Sequence, residues 1–225
     1  GQNRGEMLAT ELGFTPLYLR YNTGLHIADN GRELAGMLEK LLSSWPEPVS
    51  ELVIVGHSMG GLTARSACHH GEKESQDWLH HLRKMIFIGT PHHGAPLERG
   101  GSWLEFALGL SPYAAPFTQI GRKRSAGITD LRHGRITADN QAFIPLPTAV
   151  ECYAMASRLG KKRGQVSEKL IGDGLVPVNS ALGRSRRPAL TLLIPEANQW
   201  VGSETGHLEL LGNAEVYEQL RDWLK

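Results

Sequence analysis

Apolar positions along this chain come in short continuous runs, separated by longer stretches with helical spacing. Residues 15–21, 51–56, 85–89, 149–155 and 190–194 read as five strands. They lie too far apart for tight hairpins. Between the first two, Asn30 can cap a helix and Glu33 can return the bond. Leu34, Leu38, Leu41, Leu42 and Trp45 then line one face of that helix, and Pro46 ends it. A second helix runs from Met59 to about His70 and stops at Gly71. Residues 6–12 open the chain as a helix closed by Gly13, and residues 213–225 end it as one, with Val216, Leu220 and Leu224 on one face. Continuous apolar strands alternating with helices belong to a parallel sheet covered on both faces. The fold class is α/β, in a single domain.

Residues 92–147 break this rhythm. They are rich in Gly, Pro and basic residues and read as an insertion, a cap or lid over the C-terminal edge of the sheet. The amphipathic piece 103–110, followed by Tyr113 and Phe117, suits either an acyl pocket or lid or a plain cap helix packed on the sheet. A helix with no strand before it opens the chain, which suggests that N-terminal strands are missing and that the natural protein begins upstream. The first strand would then have an unpaired edge, and this piece would self-associate and hydrolyse weakly.

Composition narrows the partners. The 225 residues carry 24 Lys and Arg against 23 Asp and Glu, a net charge of +1, so no field gathers nucleic acid or anionic lipid. No apolar run approaches the roughly 20 residues of a transmembrane helix, and no targeting segment is visible; a cytoplasmic location is the expectation. Two cysteines, Cys68 and Cys152, cannot form a disulfide framework and read as small buried side chains. The paired histidines lack zinc-site spacing, and no metal or organic cofactor is expected.

The sharpest chemical signal is Gly56-His57-Ser58-Met59-Gly60-Gly61, directly after an apolar strand and directly before a helix. This is the G-x-S-x-G pattern in the setting that gives it meaning. The turn is so tight that Gly56 and Gly60 must lack Cβ atoms, and Ser58 at its apex takes a strained backbone. The Met59 N–H, at the start of the helix, favours negative charge developing beside the serine. His57 reads as a packing residue rather than the base.

These residues resemble the nucleophile elbow of the α/β-hydrolase superfamily, in its lipase and esterase branch. The turn Gly89-Thr90-Pro91-His92-His93-Gly94 is similar to one in that branch and in relatives of the GPI inositol-deacylases. The resemblance implies the order Ser, then Asp or Glu, then His. His207, in a polar loop before the closing helix, is then the base, and Asp173, in a Gly172-Asp173-Gly174-Leu175-Val176 turn similar to that of many lipases, is the acid. Glu196 and Glu204 are the alternatives for the acid. His69, His70, His80 and His81 read as solvated surface, His133 precedes the acid, and His92 and His93 shape the pocket.

The resemblance thus implies a serine esterase or lipase acting on a small-molecule or lipid ester through Ser58, His207 and Asp173, with Met59 in the oxyanion hole. The alternatives are an acyltransferase with the same three residues and a non-catalytic binding module on the same fold. A second oxyanion donor is not visible, and the turn at Thr90 to Gly94 is the place to look for one.

Overall fold

The computed structural model describes residues 4–95, 125–139, 143–160 and 172–225. Among these residues, four strands form one parallel sheet, β1 (Leu52–His57), β2 (Leu82–Ile88), β3 (Glu151–Arg158) and β4 (Gln199–Ser203), in that spatial order. The helices are α1 (Arg4–Leu12), α2 (Ile27–Ser43), α3 (Met59–Glu74), α4 (Ala126–His133), the single turn α5 (Val178–Ala181) and α6 (Ala214–Leu224). The amphipathic piece 103–110, Tyr113 and Phe117 lie outside the described residues.

Successive side chains of a strand point to opposite faces, and here they feed two apolar clusters. Met85, Phe87, Cys152, Ala154 and Ala156 pack under α2 and α3 with Ile27, Leu34, Leu62 and Ala64. Ile86, Ile88, Tyr153 and Met155 pack on the other face with Leu8 of α1 and Val216, Tyr217, Leu220 and Leu224 of α6. Each Leu, Ile, Phe or Met fully buried there contributes about 1.5–3 kcal/mol relative to exposure. Both cysteine thiols are buried, and burial pushes Cys152 up to about 12.

Two of the five expected strands are not strands. Residues 15–21 join no ladder, and Leu17, Tyr18 and Leu19 are exposed. Their β-forming composition measures a fit to a paired, half-buried surface, and no neighbouring strand among the described residues supplies it. Residues 190–194 lie between Pro188 and Pro195. Leu190 ends a 3₁₀ turn, Leu193 is exposed, and only Leu192 and Ile194 turn inward. The fourth strand follows instead at Gln199–Ser203, hidden from hydropathy by its Gln, Gly and Ser.

Two local readings also change. α2 begins at Ile27, not after Asn30; the Asp130 carboxylate accepts the Ile27 N–H (3.1 Å) and pairs with His26 Nδ1 (2.9 Å), so a side chain from α4 caps the helix. Asn30 lies inside the helix and donates to the Asn22 carbonyl. α3 runs through Gly71 to Glu74 and ends on Ser75, with φ 52°, because Gly71 is packed against the Trp78 ring rather than placed at a stop. The described part of the insertion packs against the turn that follows β2, where the Ala95 N–H donates to the Arg132 carbonyl at 3.2 Å. Leu131, Ile136 and Ile144 join the core under α2 and α3, and Ser66 donates to the Ile136 carbonyl at 2.7 Å.

Candidate active site

β1 ends and α3 begins with a single residue between them, Ser58, whose backbone sits at φ 53°, ψ −122°. A non-glycine residue in that region is held there against about 1–3 kcal/mol of strain. The strain is imposed by close approach. A Cβ on Gly56 would stand 2.6 Å from the Gly61 Cα, and one on Gly61 would stand 2.1 Å from the Thr90 hydroxyl. Gly60, expected to be the tight position, has only the Tyr21 hydroxyl at 3.9 Å from its would-be Cβ, so the crowded pair is Gly56 and Gly61. The Ser58 N–H donates to the Ile88 carbonyl at 2.9 Å, which ties the elbow to the end of β2. Ser58 Oγ is buried and makes no hydrogen bond among the described residues. Met59 is the first residue of α3, where backbone N–H groups have no partner within the helix.

Asp173 lies in the turn beyond β3, and its carboxylate is fully engaged. Oδ1 accepts from the N–H groups of Leu175 (3.0 Å) and Val176 (2.8 Å), and Oδ2 meets His207 Nδ1 at 2.6 Å. Both side chains are almost wholly withdrawn from solvent, at 1% and 2% exposure. A charge buried so deeply is tolerated only when paired and hydrogen-bonded. The His207 N–H also donates to the Asp173 carbonyl at 3.1 Å. The imidazole packs on Gly89, directly after the Ile88 whose carbonyl holds Ser58, with Cε1 and Nδ1 about 3 Å from where a Cβ of Gly89 would be. The elbow, the imidazole and the carboxylate therefore converge at the C-terminal ends of β1, β2 and β3. Glu196 and Glu204 stay on the exposed surface, and Glu196 faces Arg184 at 3.9 Å.

The remaining histidines sort by burial. His92 is buried, stands edge-on to Phe87 at 4.7 Å and approaches Arg65 at 3.4 Å; burial first, then the Arg65 charge, holds it well below the ordinary histidine range. His93 donates to the Gly183 carbonyl at 2.9 Å. The backbone of the turn is spent as well, since the N–H groups of His92, His93 and Gly94 reach Thr90 O, Ser180 Oγ and Pro91 O. This turn thus offers no donor from those three residues. Of the four histidines expected on the surface, His80 is exposed while His69, His70 and His81 are half-buried; His133 is exposed as well. His57 touches His207, its Nε2 lying 3.1 Å from the His207 carbonyl oxygen and its ring centroid 4.7 Å from that of His207. Burial, with the His207 imidazole close by, pushes His57 down to about 4. No spacing rule could foretell that contact across 150 positions. Arg65 is a second surprise, buried in the core with its Nη2 donating to the Ile144 carbonyl at 2.6 Å.

The fold has known counterparts. The chain overlays on the mature form of the lipase BlEst2 of Bacillus licheniformis with a TM-score of 0.61 and 20% identity, covering 99% of this chain and 84% of the lipase. A metagenomic carboxyl esterase matches with a TM-score of 0.56 and 15% identity, over 91% of this chain, which spans 57% of that enzyme's length. At such identities the likeness establishes the α/β-hydrolase fold. No curated protein matches the sequence. The family model of the PGAP1-like alpha/beta domain matches residues 24–142, more than half of the chain, from the entry to α2 through the elbow and the Thr90–Gly94 turn. This chain belongs to the PGAP1-like alpha/beta domain family.

Proposed function

We propose that this chain is a serine hydrolase that cleaves carboxylic esters, with Ser58 as nucleophile, His207 as general base and Asp173 as its partner. The observation that carries the reading is the buried 2.6 Å bond between Asp173 and His207, on an imidazole packed against Gly89. Nothing in the packing of a core requires a carboxylate and an imidazole at that point. The membership in the family and the likeness to a lipase and a carboxyl esterase support the same chemistry.

His207 takes the Ser58 proton as Oγ attacks the ester carbonyl, forming a tetrahedral intermediate whose oxyanion faces the N-terminus of α3 and the Met59 N–H. The imidazolium returns the proton to the departing alcohol, leaving an acyl-enzyme. Water then attacks, passing its proton through His207, and the acid is released. Asp173 holds the imidazole in the tautomer with its proton on Nδ1 and stabilises the imidazolium when it forms. The α3 N-terminus acts on charge that exists only during reaction, and a single oxyanion donor is worth about 10²- to 10³-fold in rate. The test is hydrolysis of p-nitrophenyl butyrate by the chain and by Ser58→Ala. Turnover that persists undiminished in the variant overturns the reading.

A further inference from the structure

We propose that His57 is a positioning residue for His207: its ring N–H fastens the loop carrying the imidazole to the nucleophile turn itself. The inference rests on the reading of Ser58 and His207 given above.

The acceptor in this contact is a backbone carbonyl, the His207 oxygen, 3.1 Å from His57 Nε2. A carbonyl has no proton to give, so His57 carries its proton on Nε2. The ring is held neutral at pH 7, since burial brings it down to about 4, and its one N–H is committed to this bond. Other hydrogen bonds of the His207 loop reach the acid, β3 and the start of α6, where Asn213 Nδ2 donates to Thr205 Oγ1 at 2.9 Å. The His207 N–H reaches the Asp173 carbonyl, His207 Nδ1 meets Asp173 Oδ2, and the Ser157 hydroxyl donates to the Thr205 carbonyl at 2.7 Å. Glu209 Oε2 accepts the Gly206 N–H from within the loop itself. These bonds orient the imidazole toward Asp173 and its packing on Gly89 sets it beside β2, but none of the bonds named runs to the nucleophile turn.

His57 supplies a direct bond from that turn. It is the last residue of β1 and the immediate neighbour of Ser58, whose backbone is locked by strain and by its bond to Ile88. Tying the His207 carbonyl to residue 57 therefore sets how far the imidazole stands from residue 58. A misplacement of about 1 Å between reacting groups costs roughly 10²-fold in rate. Packing alone is the competing explanation, for the two rings also lie at 4.7 Å and 39°. The two accounts differ in what can replace the histidine. A phenylalanine supplies the packing without the donor, and a glutamine supplies a donor with less of the packing.

The experiment compares the parent chain with His57→Phe and His57→Gln. It reads kcat and KM on p-nitrophenyl butyrate, and the solvent exchange of the downfield Nδ1 proton of His207 by NMR. The expected result for His57→Phe is a fall in kcat of roughly 10²-fold with little change in KM, and faster exchange of the Nδ1 proton. His57→Gln should recover most of kcat and slow the exchange again. A His57→Phe chain with parental kcat and exchange overturns the proposal, as does a His57→Gln chain as impaired as the phenylalanine variant. A parent chain that hydrolyses no ester contradicts the proposed function instead. The exchange rates of the three folded proteins then decide the role of His57 by themselves, and equal rates overturn it.

Discussion

His207 leans on Asp173 twice. Its ring Nδ1 meets the carboxylate at 2.6 Å, and its backbone N–H reaches the Asp173 carbonyl at 3.1 Å, so one residue sets both the orientation of the imidazole and the path of its loop. The other carboxylate oxygen is held by two N–H groups of its own turn. Replacing Asp173 thus disturbs the base without moving the strands that carry it.

Asp173→Asn isolates this effect. The amide oxygen can still accept from Leu175 and Val176, leaving an NH₂ group facing His207. The imidazole must then accept at Nδ1 and carry its proton on Nε2, the wrong tautomer for taking one from serine. The fall in kcat should be about 10⁴-fold with the fold preserved. Steady-state kinetics with circular dichroism check both halves, and a loss of tenfold or less would transfer the acid's role elsewhere.

Strain at Ser58 separates stability from activity. At φ 53° a glycine pays no Cβ penalty, whereas alanine keeps it. Ser58→Gly should therefore be more stable than Ser58→Ala by about 1–2 kcal/mol, with both inactive. Urea midpoints measure the difference. Equal midpoints would show that the turn carries no strain.

The crowding at the elbow predicts opposite fates for adjacent glycines. Gly60→Ala adds a methyl at ordinary van der Waals distance from the Tyr21 hydroxyl, within the first turn of α3, and should shift stability by less than about 1 kcal/mol. Gly61→Ala drives a Cβ into Thr90 and should unfold or severely destabilise the chain, with partial recovery in Gly61→Ala/Thr90→Ala. Thermal melts of the three variants test this.

Acid sensitivity follows from two buried neutral histidines. His57 is brought from an ordinary 6.5 to about 4, chiefly by burial, and His92 is also brought well below it. Above pH 6.5 neither contributes a pH dependence. Below it the unfolded chain binds protons that the folded chain refuses, so stability falls as pH drops from 6.5 toward 4. His57 accounts for up to about 3 kcal/mol of that loss. Urea unfolding between pH 7 and pH 4 should show this slope, and His57→Gln should reduce it by one proton.

The fold and the candidate site were legible to different depths. Ser58, Asp173 and His207 stand out because turn chemistry and chain order are local or ordinal properties, and glycines mark where backbones nearly touch. Residues 15–21 misled because alternation reports a capacity to pair, not a partner. β4 stayed hidden because Gln199, Gly202 and Ser203 are poor in apolar side chains and the strand pairs only with β3 among the described residues. The cap that Asp130 places on α2, and the contact of His57 with the His207 carbonyl, join positions more than a hundred residues apart. No pattern along the chain carries such information.

The central claim is that Ser58 is an activated nucleophile, and fluorophosphonate labelling followed by peptide mass mapping tests it most directly. An unassisted serine does not react with such a reagent, whereas one deprotonated by a neighbouring imidazole does. The account predicts a single phosphonyl adduct on Ser58, absent in Ser58→Ala and strongly slowed in Asp173→Asn. A folded chain that takes up no label, or takes it up equally in Ser58→Ala, would contradict it.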